Sequence, residues 1–333
     1  FFFSNNIETY RANQIYEWLW VKGVSDFNLM TNLSIEFRKF LQKNFIINNI
    51  KVESIQKSID GTIKNAVKLY DNKIVESVLI PTKNRITACI SSQVGCSLNC
   101  KFCATSKLKR LRNLNVDEIF DQVKFIDNQS KSFYNRPITN IVYMGMGEPL
   151  MNYDNFIKSI EKITSKSGLG FSPRRITVSS VGFPKFIKKM ADQKIKFNLA
   201  ISLHSAIQSV REFLMPFSNK ILIEDLIDSL RYWINIKKSI ITFEYIVFDG
   251  INDSETDIIE LIKICKKIPS KVNLIQYNSI NDDNFRNASI KSINRYSKLL
   301  SENNIINTIR KSRGDDIDAA CGQLANNTIN LKN

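Results

Sequence analysis

The stretch Gly95-Cys96-Ser97-Leu98-Asn99-Cys100-Lys101-Phe102-Cys103 decides how this chain is read. Its three cysteines form a C-x3-C-x2-C pattern directly after the β-branched run Ile86–Ser91. Thiolates select soft centres such as zinc and iron–sulfur clusters. A structural zinc site wants four ligands, usually as two closely spaced pairs, and no fourth cysteine or histidine lies nearby. Three thiolates around a [4Fe–4S] cluster leave one iron open to a substrate or cofactor. The other cysteines are Cys89, Cys265 and Cys321, and the single histidine is His204. One histidine excludes Cys2His2 fingers and HExxH proteases. So few cysteines in 333 residues do not make a disulfide scaffold, and metal or redox chemistry in a reducing cytoplasm fits better.

Outward from the cysteines, short β-branched runs alternate with helical patterns. The runs Ile86–Ser91, Ile138–Met144, Ile176–Ser180, Phe197–Leu203, Ile241–Phe248 and Val272–Tyr277 read as strands. Between and after them Val116–Asp127, Asn155–Ser165, Phe183–Ala191, Ile223–Trp233, Glu255–Lys267 and Ser289–Ser301 read as helices. Alternation of this kind predicts βαβ units around a parallel sheet, as a full or partial (β/α) barrel; a doubly wound sheet is the alternative. In a parallel barrel the chemistry sits in loops at the C-terminal ends of the strands. The unusual segments fall there: the cysteine loop, Gly145-Met146-Gly147-Glu148-Pro149, Ser179-Ser180, Ser202-Leu203-His204 and Asn278. Cys265 sits on a helical pattern and reads as core.

The chain divides into a small N-terminal helical accessory domain (1–50), a hairpin-containing linker (51–84), the barrel (85–303) and a C-terminal segment (304–333). In the first, Ile15, Leu19 and Val21 join Trp18 and Trp20 in one helix; a second starts at Ser34 as N-cap and aligns Phe37, Phe40, Leu41 and Phe45. Strands flank a turn at Asp71-Asn72. The first residues, Phe1-Phe2-Phe3, show no signal-peptide pattern. No apolar run approaches the ~18 residues of a membrane span.

There are 47 basic against 32 acidic residues, a net charge of +15. That excess suits a polyanion, nucleic acid before an anionic membrane surface; the plainer reading is lysine on solvated faces. Lys107–Arg112, Arg174-Arg175 and Arg310–Arg313 bring three basic runs near the expected barrel mouth, as phosphate contacts would require.

The cysteine spacing in a first βα loop, with Phe102 before the last cysteine, resembles the radical S-adenosylmethionine (SAM) superfamily. The resemblance implies one [4Fe–4S] cluster per chain on Cys96, Cys100 and Cys103. Its open iron chelates SAM, which one-electron transfer cleaves to a deoxyadenosyl radical. SAM contacts are implied at Gly147 and Glu148, at Ser179, at Ser202, Leu203 and His204, and at Asn278. Around Ser179 the sequence is one residue shorter than the usual pattern, so Ser180 is the alternative contact. Taken alone, the glycine loop is an ordinary turn and His204 a structural histidine.

Two further segments, Arg313-Gly314-Asp315-Asp316-Ile317-Asp318-Ala319-Ala320-Cys321-Gly322-Gln323-Leu324 and Ala88-Cys89-Ile90-Ser91-Ser92-Gln93-Val94-Gly95-Cys96, closely resemble the bacterial RNA adenine-C2 methyltransferases of the RlmN type, as does Tyr10–Trp18. The likeness runs over nearly the whole chain. It implies that Cys321 takes a methyl group from one SAM. A second SAM supplies the radical that activates that methyl for addition to adenine C2, making two SAM per turnover. Cys89 is then implied to resolve the RNA–protein adduct by disulfide formation, with Glu76 as proton acceptor. On its residues alone Cys89 reads equally well as a small buried hydrophobe, and Glu76 as a solvated carboxylate. The implied partners are large-subunit ribosomal RNA, transfer RNA and an external one-electron donor such as flavodoxin, with the protein a cytoplasmic monomer not bound to membrane. A C8-methylating relative shares these cysteines, and a non-catalytic iron–sulfur RNA-binding protein is the rival from another class.

Overall fold

The computed structural model describes residues 2–5 and 7–325. The last eight residues of the expected C-terminal segment, 326–333, lie outside them.

Helix α1 (Thr9–Tyr16) passes into a π-wound turn, Glu17–Val21, where a single regular helix was expected. The wider turn separates two large indoles. Trp18 packs on a small core of Ile15, Phe27, Met30, Leu33 and Leu41, while Trp20 reaches the main core and meets Phe120 edge-on at 5.1 Å. Helix α2 (Ile35–Asn44) starts at Ser34, whose hydroxyl accepts from the Phe37 amide at 3.2 Å.

Strand β1 (Lys51–Lys57) pairs antiparallel with β2 (Ile63–Lys68), and β2 with β3 (Ile74–Pro81). The turn between β2 and β3 places Asn72 at φ 63°, a conformation asparagine tolerates. Strand β4 (Ile86–Cys89) closes this antiparallel unit against β3 and opens the parallel one. A short ribbon, β5 (Gln93–Val94) with β6 (Arg112–Asn113), brackets the cysteine loop and the single turn α3 (Ala104–Lys107).

From there strands and helices alternate: α4 (Val116–Tyr134), β7 (Asn140–Tyr143), α5 (Tyr153–Thr164), β8 (Ile176–Ser180), α6 (Pro184–Asp192), β9 (Asn198–Ser202), α7 (Gln208–Leu214), α8 (Ile223–Lys237), β10 (Ile241–Ile246), α9 (Glu255–Lys267), β11 (Ser270–Ile275), α10 (Ile290–Glu302) and β12 (Ile306–Arg310). Among the described residues one ten-stranded sheet runs β1-β2-β3-β4-β7-β8-β9-β10-β11-β12. Every pairing from β4 to β12 is parallel and follows chain order. A doubly wound sheet would reverse its order at a switch point; this one does not. The sheet ends on β1 and β12 without closing. Of the two barrel forms expected, the partial one is therefore present.

The apolar faces of the helices and the strands share one core, from Ile63 in β2 to Tyr296 in α10. All C-terminal strand ends of the parallel set point to the same rim, where the site lies.

Candidate active site

One cavity at that rim is lined by Cys89, Cys96, Cys100, Cys103, Gly147, Glu148, Ser179, Ser202, His204, Asn278 and Cys321. Of the residues to which the family resemblance gives a catalytic, SAM-binding or cluster role, Leu203 and Glu76 are missing from its walls. Leu203 is buried in the core, and its amide donates to the Glu244 carbonyl at 3.1 Å. Glu76 is fully buried, not solvated as its sequence context alone suggested. A roomier cleft between the N-terminal helices and α4 holds none of these residues.

The cysteine loop leaves β5 through Gly95 at φ 74°, where an added Cβ would sit 2.4 Å from the Lys109 carbonyl oxygen. The Cys103 amide donates to the Cys100 carbonyl at 3.2 Å, and Ser106 Oγ donates to the carbonyls of Cys100 and Cys103. The three thiols thus face one cavity from a tightly turned loop. Burial pushes Cys96 up to about 12, Cys100 well above the ordinary thiol value and Cys103 upward, with the thiols' mutual repulsion adding to the first two. Among the described residues no three His, Cys, Asp or Glu side chains are placed to hold a single metal ion. A cluster spreads its thiolates more widely than one ion does. Three desolvated thiols on one tightly turned loop fit the three-thiolate set of a [4Fe–4S] cluster.

The C-terminal segment folds back over this loop. The Ala104 amide donates to the Gly322 carbonyl at 2.7 Å, and Thr105 Oγ1 to the Leu324 carbonyl at 2.6 Å. Asn278 Nδ2 donates to the Cys321 carbonyl at 3.0 Å, while its Oδ1 accepts from Ser312 Oγ. Cys321 is reached by solvent through the cavity mouth, yet enough protein surrounds it that desolvation raises its thiol to about 11 against the opposing pull of Arg310. Cys89, at the end of β4, is buried; desolvation first and the charge of nearby Cys321 second push its thiol to about 12. Both are free thiols.

Glu148 has its two oxygens taken by the amides of Leu150 and Val181, each at 3.0 Å, and burial pushes it up to about 7. Before it, Gly147 stands at φ 91°, where a Cβ would collide with Gln93. Ser179 and Ser180 both line the cavity. Ser179 Oγ meets Ser202 Oγ at 3.3 Å, and Ser180 Oγ accepts from the Gly182 amide. Both hydroxyls are in place for a ligand contact. His204 adopts φ 54° and packs edge-on to Phe102 at 4.8 Å; its Nδ1 accepts from the Ile246 amide at 3.1 Å. Burial lowers it to about 3, so the ring is neutral. Cys265 is buried, as expected of a core residue.

Arg112, expected among the phosphate-facing residues, is committed inside the protein. It is bidentate to Asp71 at 2.8 and 2.9 Å and to Glu118 at 2.7 and 2.8 Å. Lys107 pairs with Asp282 at 3.4 Å.

Two charged residues on the inner side escaped the sequence reading. Glu244, on β10, pairs with Arg310 at 3.3 Å and accepts from Asn273 at 2.9 Å. Arg211, on α7, is fully buried. Its spacing from Ile207 and Leu214 is the i, i+4, i+7 signature of an inward face, which marks it in the sequence as a charge in an apolar stripe.

The profile of the radical SAM superfamily matches residues 90–262, and that of the ribosomal RNA large subunit methyltransferase N-terminal domain matches residues 1–47. The chain is 58% identical over 329 residues to the probable dual-specificity RNA methyltransferase RlmN of Flavobacterium psychrophilum, covering 99% of this chain and 95% of that one. Its identity to the Cytophaga hutchinsonii protein of the same name is 49% over 325 residues, 98% of this chain and 89% of the relative. The crystal structure of a radical SAM methyltransferase from Sphaerobacter thermophilus superposes with a TM-score of 0.91 at 35% identity, over 97% of this chain and 95% of that one. The hydrogenase maturase HydG shares the fold alone, with a TM-score of 0.53 at 12% identity. A three-cysteine loop on a parallel half-barrel, an N-terminal helical unit and these relatives agree: the chain belongs to the RlmN family of radical SAM dual-specificity RNA methyltransferases.

Proposed function

We propose that the protein methylates C2 of adenine in 23S ribosomal RNA and in some transfer RNAs, using Cys321 as methyl carrier and Cys89 as resolving thiol. One observation carries this reading: Cys321, Cys89 and the Cys96–Cys100–Cys103 loop line a single cavity. A radical SAM site needs only the three-cysteine loop. Two further free thiols facing it are surplus unless sulfur takes part in the chemistry.

Cys96, Cys100 and Cys103 would hold one [4Fe–4S] cluster. Gly147, Glu148, Ser179, Ser202, His204 and Asn278 would hold SAM, with the Leu203 backbone shaping the strand end. Bound there, the two groups supply a methyl group and a deoxyadenosyl radical, at two SAM per turnover. Cys321, open to the cavity, would lose its proton and bond to the methyl carbon as that carbon's bond to the sulfonium of SAM breaks and S-adenosylhomocysteine leaves. One hydrogen atom then leaves the S-methyl group and the resulting carbon radical adds to adenine C2, a carbon with no nucleophilic lone pair; the adduct returns its unpaired electron to the external one-electron carrier and loses its C2 proton. The Cys89 thiolate attacks Cys321 sulfur, so a disulfide forms as the carbon–sulfur bond to RNA breaks; the released carbon takes up a proton to become the methyl group, and an external dithiol reduces the disulfide before the next turnover. Glu76 is the proposed acceptor of the C2 proton. With the tail as placed here its carboxylate is engaged by Lys64 and the Ala325 amide, so that role requires the tail to lift.

The +15 charge supports a polyanionic substrate, and a base held in duplex or loop must leave its stack to reach this cavity. We assign residues 1–50 to an accessory domain, 51–84 to a hairpin linker, 85–303 to the barrel and 304–333 to the carrier segment. An external one-electron donor such as flavodoxin would serve a cytoplasmic monomer. The test is mass spectrometry of ribosomal and transfer RNA from cells lacking the gene and from cells carrying only Cys321→Ala. Both should lose 2-methyladenosine. Loss of 8-methyladenosine instead, or no loss, overturns the proposal.

A further inference from the structure

Arg211 is 0% exposed. Its Nη2 donates to the carbonyls of Val181 at 2.6 Å and Ser202 at 3.4 Å, the chain positions at or just past the ends of β8 and β9. Its Nε and Nη1 are buried with no partner, and among the described residues no ion pair includes it. A guanidinium buried without an anion is costly, because desolvation is repaid only by a well-placed opposite charge. Desolvation lowers Arg211 to about 10, which leaves it charged at neutral pH, and the group that pulls it back up is Cys100. Glu148 is the other buried charge here, but the two share a neighbour without pairing: Glu148 accepts from the Val181 amide while Arg211 donates to the Val181 carbonyl.

The cysteine loop is fastened to the same helix. The Lys101 amide, between Cys100 and Cys103, donates to the Leu214 carbonyl at 3.0 Å, about one turn along α7 from Arg211. The unpaired cation therefore lies beneath the loop that carries the three thiols.

We infer that Arg211 is the resident counter-charge of the three-cysteine cluster and sets its reduction potential. The inference rests on the assignment of Cys96, Cys100 and Cys103 as cluster ligands. A [4Fe–4S]2+ core with three thiolates carries one net negative charge, and two after accepting an electron. A fixed cation in a low-dielectric interior stabilises the doubly charged state more than the singly charged one, which raises the potential. Arg211 is in this sense a positioning residue. It acts on electron transfer through the cluster and lies outside the cavity walls.

The experiment uses the full chain, reconstituted anaerobically with iron and sulfide and titrated redox-potentiometrically by electron paramagnetic resonance. SAM is left out, so that a lost SAM contact cannot imitate the effect. Iron content of the wild type checks the ligand assignment separately. Arg211→Gln should shift the midpoint to more negative potential, and Arg211→Lys should hold it close to wild type. A folded Arg211→Gln protein that fails to retain iron, beside a cluster-loaded Arg211→Lys, also supports a charge role. An unchanged midpoint in Arg211→Gln overturns the inference. So does loss of the fold in Arg211→Gln, or equal loss of cluster in both variants, since either assigns the guanidinium to holding the Val181 and Ser202 carbonyls.

Discussion

The carboxylate of Glu76 accepts a hydrogen bond from the Ala325 amide at 2.9 Å, joining residues 249 positions apart. On its other oxygen Glu76 meets Lys64 at 3.4 Å, and Lys64 in turn donates to the Asp318 carbonyl at 3.3 Å. Both side chains are buried, so this ion pair holds the two ends of the segment that carries Cys321.

Glu76→Ala leaves the Lys64 ammonium buried and unpaired, which costs about 3–5 kcal/mol. A Lys64→Met, Glu76→Leu double variant should recover most of that loss in urea titration. Amide exchange across 319–325 should quicken in both proteins. Wild-type stability and tail protection in Glu76→Ala would refute the clamp.

The Arg112 pairs predict an acid-sensitive support for the cysteine loop. Hydrogen bonding from Arg112 holds the Asp71 carboxyl far below its ordinary value near 3.8. A carboxyl depressed in the folded state contributes stability that is present above the unfolded value and lost as pH falls below it. Asp71→Asn should therefore lower stability at pH 7 by about 1–3 kcal/mol and flatten the decline below pH 4. Parallel acid-unfolding curves for variant and wild type would contradict it.

For the metal site, replacing any of Cys96, Cys100 or Cys103 by Ala should abolish iron incorporation. Because burial raises these thiols, cluster assembly in the wild type should run faster at pH 8.5 than at pH 7, as more thiolate becomes available. Full iron content in all three variants would defeat the ligand assignment.

Cys89→Ala should still accept methyl on Cys321 and attack RNA, then stall for want of a resolving thiol. The purified protein should carry RNA through Cys321, and the Cys89→Ala, Cys321→Ala double variant should carry none. Removing a small buried side chain costs only on the order of 1 kcal/mol, so a merely structural Cys89 gives normal turnover and no bound nucleotide. Nuclease digestion and mass analysis decide between the two.

The strand–helix alternation was legible because parallel strands buried on both faces are β-branched runs; β8 and α9 match their sequence ranges residue for residue. Strands β1 and β12 were not, because they are edges. Their exposure leaves Lys51, Glu53 and Asn307 free to be polar, so the alternation carries little apolar signal. The Trp18–Trp20 turn was missed because π-winding is a response to packing from two sides, absent from local periodicity. At the site, spacing and strand-end position marked the cysteines and the cavity residues. The fate of a charge was not legible from charge alone. Arg112 reads like Arg110, yet one is sequestered by two carboxylates and the other is exposed. Glu76 likewise became a buried clamp only through Lys64 and a tail from the far end of the chain.

Five of the bonds that seat the tail join residues between 219 and 257 positions apart: Ile59 to Asp316, Lys64 to Asp318, Asp60 to Gly314, Pro81 to Arg313 and Thr105 to Leu324. Contacts of such sequence separation form late, since the entropy of closing the loop must be met before they return anything. Synthesis reinforces that order, because the hairpin and the barrel emerge first. A chain halted before residue 313 would own every cysteine of the metal loop and no partner for it. Cys321, the proposed methyl carrier, thus reaches its place only after the strands and loops that line its cavity have been built. Folding order itself withholds Cys321 from the cavity until the cavity's other walls stand.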